Sequence, residues 1–313
     1  MNQPRTDYLK EMRAAAEAID LNPREFVQPT DHWVDLNGIR FHYLDWGNPE
    51  LPHLVLLHGG SLTAHTWDMS ALLLRQHYHV VALNQRGHGD TGWTPEDQLG
   101  EDWGAFMHQD TEQFMDHLGF EKFVLCGMSM GGINSYHYAA RHPGRLQALI
   151  IVDVAPVTMK EGIIEMAQFR QDTETLSKFE DFLERAIKFN PKRNPAHLHY
   201  SLLHSLKQVD DGWTWKQDHR RPQQDLSDEE AKKTREVRSE ELWQDVKAIT
   251  TPTLLMRGEN SKILAAEAAE KTVASMHDAE FVVVPRATHN VHADNPKDFA
   301  AELISFVSRK LGN

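Results

Sequence analysis

Short, mostly unbroken apolar runs alternate along this chain with longer amphipathic stretches. The runs lie at residues 54–57, 78–83, 123–126, 146–152, 253–256 and 281–284. Most are continuous in Val, Ile and Leu and lack polar alternation, the pattern of parallel strands covered on both faces. Ahead of them, apolar runs at 34–36 and 39–44 flank Asn37-Gly38, a dipeptide that supplies the left-handed residues of a tight hairpin. Between the runs, apolar residues recur at helical spacing, as at Phe114, Met115 and Leu118, and again at Phe299, Leu303, Phe306 and Val307. An antiparallel start followed by β-α alternation predicts an α/β fold of three layers, a mostly parallel central sheet flanked by helices.

Two segments depart from this rhythm. Residues 1–30 read as an N-terminal helical extension, with Tyr8, Met12, Ala15 and Ile19 on one face and Asn22-Pro23 closing it. Residues 157–245 show no strand pattern but carry helical runs at 163–170, 176–187 and 198–206, followed by a charged stretch at 225–241. A strand-free insert of that size is too long for a loop in a compact domain. It is expected to be a helical cap placed between two strands, its charged stretch a solvated helix face. The core is then 31–156 together with 246–313.

Composition narrows the partners. Among 313 residues, 33 are Lys or Arg and 46 are Asp or Glu, a net charge of −13. Nucleic acid needs a basic face and is not an expected partner. The single cysteine, Cys126, allows neither an internal disulfide nor a cysteine-based zinc site and suits a reducing compartment. The first residues have no apolar signal region, and no apolar run is long enough to span a bilayer. A cytoplasmic protein with no membrane partner and a small-molecule substrate is the expectation.

The sharpest chemical feature is Gly127-Met128-Ser129-Met130-Gly131-Gly132, between an apolar run and a helical stretch. A G-x-S-x-G string in a strand–turn–helix context lifts a serine hydroxyl clear of the sheet at a helix N-terminus, where backbone N–H groups favour developing negative charge. A second turn, His58-Gly59-Gly60-Ser61, follows the run at 54–57. An oxyanion needs two N–H donors, each worth about 2.7–4 kcal/mol of barrier. The expected pair is the N–H groups of Gly60 and Met130. A serine also needs a base. His289, just past the last apolar run, sits where catalytic groups collect in open α/β sheets. His292 is the nearby decoy. Trp67 and Met128, close to the two turns, are candidate substrate-binding residues, while Trp213 and Trp215 either line an acyl pocket or pack the cap. His197, His199 and His204 carry no metal expectation, since residues two apart do not share a helix face and no acidic residue stands at a fitting spacing. No phosphate-binding glycine fingerprint occurs, and no cofactor is implied.

These elements resemble the α/β-hydrolase family from about residue 31 to the end. The matching stretches are His58-Gly59-Gly60, Asn84-Gln85-Arg86-Gly87-His88-Gly89-Asp90-Thr91, the elbow at Ser129 and His289. The resemblance implies a Ser, acid, His order and often a helical cap after the sixth strand, where 157–245 falls. Asn84 replaces the family's usual acidic residue at a position that supports a loop. The acid of the triad departs from the commoner pattern: Ser261 and Lys262 stand where an Asp is expected after the seventh strand. Some members take the acid from the sixth strand, which here offers Asp153. The tail, residues 257–264 with 282–296, resembles amide hydrolases acting on acetamidomethylene-succinate. Asp153 is therefore the expected acid and Glu259 the reserve, its role being to fix the imidazole tautomer. Ser129 excludes the ester intermediate of the aspartate-nucleophile epoxide hydrolases and dehalogenases. A small or medium carboxylic ester is the expected substrate. An amide, a lactone, a carbon–carbon bond and a non-catalytic receptor role stay open. For a dicarboxylate the candidate cap arginines are Arg170, Arg185, Arg220 and Arg221. A homodimer through the N-terminal helix or the cap also stays open.

Overall fold

The computed structural model describes residues 8–99, 102–159, 175–220 and 228–312. After helix α1 (Leu9–Glu17), the hairpin β1 (Thr30–Leu36) and β2 (Ile39–Asp45) closes with Leu36 opposite Ile39. Asn37 and Gly38 both take positive φ, 50° and 75°, as the Asn-Gly signal requires. Then follow β3 (His53–Leu57), α2 (Asp68–Leu74), β4 (His79–Leu83), α3 (Trp103–Leu118), β5 (Phe123–Met128), α4 (Met130–Arg141) and β6 (Leu146–Val152). After the insert come β10 (Thr253–Gly258), α8 (Ala266–Ala274), β11 (Ala279–Val284), α9 (Val291–Asp294) and α10 (Pro296–Leu311). The eight-stranded sheet runs β1-β2-β4-β3-β5-β6-β10-β11. Only the pairs β1–β2 and β2–β4 are antiparallel.

Side chains of successive strand residues point to opposite faces, so each apolar run feeds two cores. Leu54, Leu56, Val124, Cys126, Ile150 and Val152 pack with Met12, Ala15, Leu72, Phe299 and Phe306 on one side. Val55, Leu57, Leu125, Leu149 and Ile151 pack with Phe114, Met115 and Tyr138 on the other. Strands buried on both faces have no use for polar residues, which is why these runs read as continuous. The N-terminal helix α1 belongs to the first core. Tyr8, Met12, Ala15 and Ala16 are buried there, so its apolar face is covered by its own chain.

The insert is not strand-free, as its sequence led us to expect. It holds β7 (Thr175–Leu176), α5 (Phe179–Phe189), α6 (Pro195–Ser205), β8 (Leu206–Val209), β9 (Gly212–Trp215) and α7 (Asp228–Ala248). The three strands form their own antiparallel sheet in the order β7-β9-β8. At two to four residues each, they are too short for a period of two to register. Phe179, Phe182, Leu198, Leu202 and Leu206 make a separate apolar cluster with Trp213 and Trp215 at its edge. The helical run expected at 163–170 lies outside the described residues. From Asp228 on, the charged stretch belongs to α7, whose described side chains are largely exposed, though Leu242 and Val246 sit in the second core. Among the described residues, no helix is long and apolar enough to cross a membrane.

The loop after β4 is fixed from inside. Arg86 is wholly buried and makes a two-point contact with Asp110, Nε to Oδ2 at 2.6 Å and Nη2 to Oδ1 at 2.9 Å. Removing one partner of such a pair strands a buried charge. Arg86→Ala is expected to lower unfolding stability by about 3–5 kcal/mol, read as a lower urea midpoint at unchanged slope.

Candidate active site

Strand β5 passes into α4 with no loop between them. The hinge residue, Ser129, takes φ 51° and ψ −115°, a conformation that costs an L-residue on the order of 1–3 kcal/mol and persists only where its surroundings enforce it. They do so with three backbone hydrogen bonds. Ser129 N–H donates to Val152 O at 3.0 Å, Ile133 N–H to Ser129 O at 3.0 Å, and Gly131 N–H to His58 O at 3.1 Å. The flanking glycines follow from close backbone approach. A Cβ on Gly127 would stand 2.3 Å from Gly131 O, and one on Gly131 would stand 2.2 Å from Leu57 O.

The facing turn is equally held. His58 is buried, and burial, with His88 nearby, pushes its imidazole down to about 3 despite the contact to Gly59 O. A neutral ring fits its two contacts: Nδ1–H donates to Gly59 O at 2.8 Å and Nε2 accepts from Gln85 N–H at 3.0 Å. Gln85 Nε2 donates to His58 O at 2.6 Å, and Asn134 Nδ2 donates to Gln85 Oε1 at 2.7 Å. Asn84 supports the next turn, its Oδ1 accepting from Ala64 N–H at 2.6 Å. A Cβ on Gly60 would lie 4.0 Å from Met130 Sδ, so the two turns face one another. The Met130 N–H is the first of α4, where backbone donors lack intrahelical acceptors and the helix dipole is positive.

Asp153 closes β6. It has no solvent exposure and a φ of 54°. Its Oδ1 accepts from Gly258 N–H at 2.9 Å, at the end of β10. Its Oδ2 accepts from Ser261 Oγ at 2.5 Å and pairs with His289 Nδ1 at 2.7 Å. A carboxylate only accepts, so Nδ1 carries the hydrogen and Nε2 is left as the basic nitrogen. The histidine loop is anchored in turn. Thr288 donates to Asp294 Oδ2 from its N–H at 2.8 Å and from its hydroxyl, and Arg193 of the insert donates to Asp294 Oδ1 from Nε at 2.8 Å and Nη2 at 2.5 Å. Burial works to raise the Asp294 carboxyl, but Arg193 and the Thr288 donors outweigh it and hold it below its ordinary value.

Ser129, His289, Gly60 and Met128 all line one cavity of about 260 Å³. Its walls include Leu62, Phe189, Leu198, Leu202, Trp215 and Ile263. Trp67, a candidate substrate-binding residue, does not reach it. That indole is fully buried over His292, ring centroids 3.9 Å apart, and packs on Phe299 in the first core. His292 is a packing residue, burial pushing it well below its ordinary value, with Nε2 against Thr66 Oγ1 at 2.9 Å. Glu259 braces the turn after β11 by accepting from Arg286 N–H at 2.8 Å. Of the tryptophan pair, Trp215 lines the cavity while Trp213 packs on Phe179. Arg170 and Arg221 lie outside the described residues, Arg220 pairs with Asp218, and Arg185 does not line the cavity. The arginine at the cavity is Arg193, which the sequence did not single out. Ser261 was noticed only as an absent Asp. Its hydroxyl also accepts from the N–H groups of Ile263 and Leu264, at 3.1 and 3.2 Å, so it is aimed at Asp153 by its own loop.

A profile of the alpha/beta hydrolase fold matches residues 52–296. The chain is 26% identical to esterase Rv0045c of Mycobacterium tuberculosis over 262 residues, 81% of this chain and 82% of the relative. It is 26% identical to 2-(acetamidomethylene)succinate hydrolase of Mesorhizobium japonicum over 289 residues, 89% of this chain and 96% of the relative. The solved structure of esterase Rv0045c superposes with a TM-score of 0.74 at 24% identity, covering 98% of this chain and 99% of that one. That of E-2-(acetamidomethylene)succinate hydrolase gives 0.75 at 21% identity, covering 90% and 99%.

Two substitutions separate the candidate acids. Asp153→Asn reverses the donor and acceptor roles at His289 Nδ1 and is expected to lower kcat by on the order of 10⁴, whereas Glu259→Gln stays within a few-fold of wild type in steady-state assays. Ser261→Ala removes one donor from a charged acceptor, worth about 1.5–3 kcal/mol, and is expected to lower kcat/KM by roughly 10- to 100-fold.

Proposed function

The chain belongs to the alpha/beta hydrolase fold family, and from that premise we propose that it cleaves small or medium carboxylic esters through an acyl-enzyme on Ser129. The observation that carries the proposal is the buried Asp153–His289 contact at the same cavity as a serine on a strained strand–helix elbow. In this reading Ser129 Oγ attacks the acyl carbon while His289 Nε2 takes its proton. Asp153 holds the ring in the tautomer that leaves Nε2 basic and stabilises the imidazolium that forms. The carbonyl oxygen gathers charge against the N–H groups of Gly60 and Met130, preorganised by the His58–Gln85–Asn134 chain and by α4. His289 then protonates the leaving alcohol, and a water activated by the same nitrogen releases the acid.

Ester chemistry is favoured over a dicarboxylate amide by the walls. They are mainly apolar, and Arg193, which could meet a second carboxylate, is held by Asp294. The esterase relative supports the same reading; the acetamidomethylene-succinate relative keeps amides in the test panel.

Purified protein assayed on p-nitrophenyl esters of graded chain length is expected to peak at short to medium acyl chains and fall off for long ones, with Ser129→Ala lowering kcat by on the order of 10⁴ or more. Turnover confined to an anilide, a lactone or a vinylogous diketone would replace the ester in this proposal.

A further inference from the structure

Behind the cavity wall, two stretches far apart in sequence bring His65, Asp68 and His204 together. His65 lies in the 3₁₀ turn Ala64–Trp67, just after the Gly59-Gly60 turn, Asp68 opens α2, and His204 ends α6. One donor atom from each lies within 4.8 Å of the other two. None of the three lines the catalytic cavity, although Leu198, Ser201, Leu202 and Ser205 of the same helix α6 do.

The details fit a cation better than packing alone. His65 Nδ1 is 2.8 Å from Asp68 Oδ2, and Tyr200 Oη donates to that oxygen at 2.5 Å. The Asp68 side chain is wholly buried. His204 is buried too, its ring stacked on His65 at 3.8 Å and edged by Tyr8 at 4.5 Å. Its Nε2 is buried with no hydrogen-bond partner. A buried ring nitrogen with no hydrogen-bond partner calls for an explanation, and a bound ion is one of the few on offer.

We propose that His65, Asp68 and His204 form a binding site for a divalent transition ion, Zn²⁺ by donor chemistry. Two imidazoles and one carboxylate are the donor types of zinc sites, whereas Ca²⁺ and Mg²⁺ take all-oxygen sets. Bonds of about 2.0–2.2 Å put tetrahedral donors roughly 3.4 Å apart, so modest rotation of the two rings brings the set to bonding distance. Tyr200 stands beside the carboxylate as an orienting outer partner, and a water completes the fourth position. The ion would staple α6 of the insert to the turn that follows the Gly59-Gly60 loop, with Tyr8 of the N-terminal segment as its cover. Spacing around His204 could not find this site because its other two ligands, His65 and Asp68, lie in a distant stretch of the chain.

The test uses the full-length protein, stripped with a chelator and dialysed against micromolar Zn²⁺, with metal content by mass spectrometry. Co²⁺ loading is followed by visible absorption. Wild type is expected to hold one equivalent and to give the intense bands of a tetrahedral Co²⁺ site. His65→Gln and His204→Gln are each expected to weaken binding by at least the roughly 10- to 100-fold that loss of an outer-shell partner costs. His289→Ala is expected to keep both the equivalent and the bands. The proposal is overturned if stripped wild type takes up no ion or gives only weak octahedral bands. It is equally overturned if both variants bind as wild type does, or if His289→Ala abolishes binding.

Discussion

A carboxylate shut away from solvent must have its oxygens occupied, and in this molecule that requirement falls on Asp153. Three donors meet it: the Gly258 N–H, the Ser261 hydroxyl and the His289 ring. They come from the ends of two neighbouring strands, so the acid at the tip of β6 ties β10 and β11 together at the carboxyl edge of the sheet. The imidazole orientation follows. Asp153 takes Nδ1–H, which leaves Nε2 as the basic nitrogen of a residue that lines the same cavity as Ser129. Two adjacent parallel strands thus end in non-glycine residues of positive φ, Ser129 at 51° and Asp153 at 54°. Backbone strain of this kind persists only where the surroundings over-determine it, and here hydrogen bonds from the adjoining strands do so, Ser129 N–H to Val152 O and Asp153 N–H to Met256 O.

The insert is joined to this site through Arg193 and helix α6. Arg193 grips Asp294, Asp294 holds Thr288, and Thr288 precedes His289. Helix α6 then serves two purposes. One face lines the cavity with Leu198 and Leu202, and its last turn carries His204 into the cluster beneath Tyr8. Any shift of the insert relative to the sheet would be felt at His289 and at the cavity together, because interiors packed this closely do not deform continuously.

How much of this was legible in the sequence depended on range. The parallel strands, the Asn37-Gly38 hairpin and the Ser129 elbow are local patterns, fixed by burial on both faces or by glycine at a close approach, and all appear where the sequence put them. The short strands of the insert escaped because two to four residues cannot display a period. Trp67 does not reach the cavity because nearness in sequence to the Gly59-Gly60 turn says nothing about which way an indole points, and this one points into the core. Ser261 registered as a missing acid, although a hydroxyl can serve a neighbouring carboxylate as donor. Arg193 had no signature, since its meaning lies in a contact with a residue a hundred positions away.

The most direct measurement is to trap the covalent intermediate. Wild type would be mixed with a slowly deacylating p-nitrophenyl ester and acid-quenched during the first turnover. The digested protein is then mapped by mass spectrometry. The account predicts a burst of p-nitrophenol equal to the enzyme concentration and an acyl mass on the peptide containing Ser129 alone. Turnover of the ester with no adduct, or an adduct on any other side chain, would contradict it.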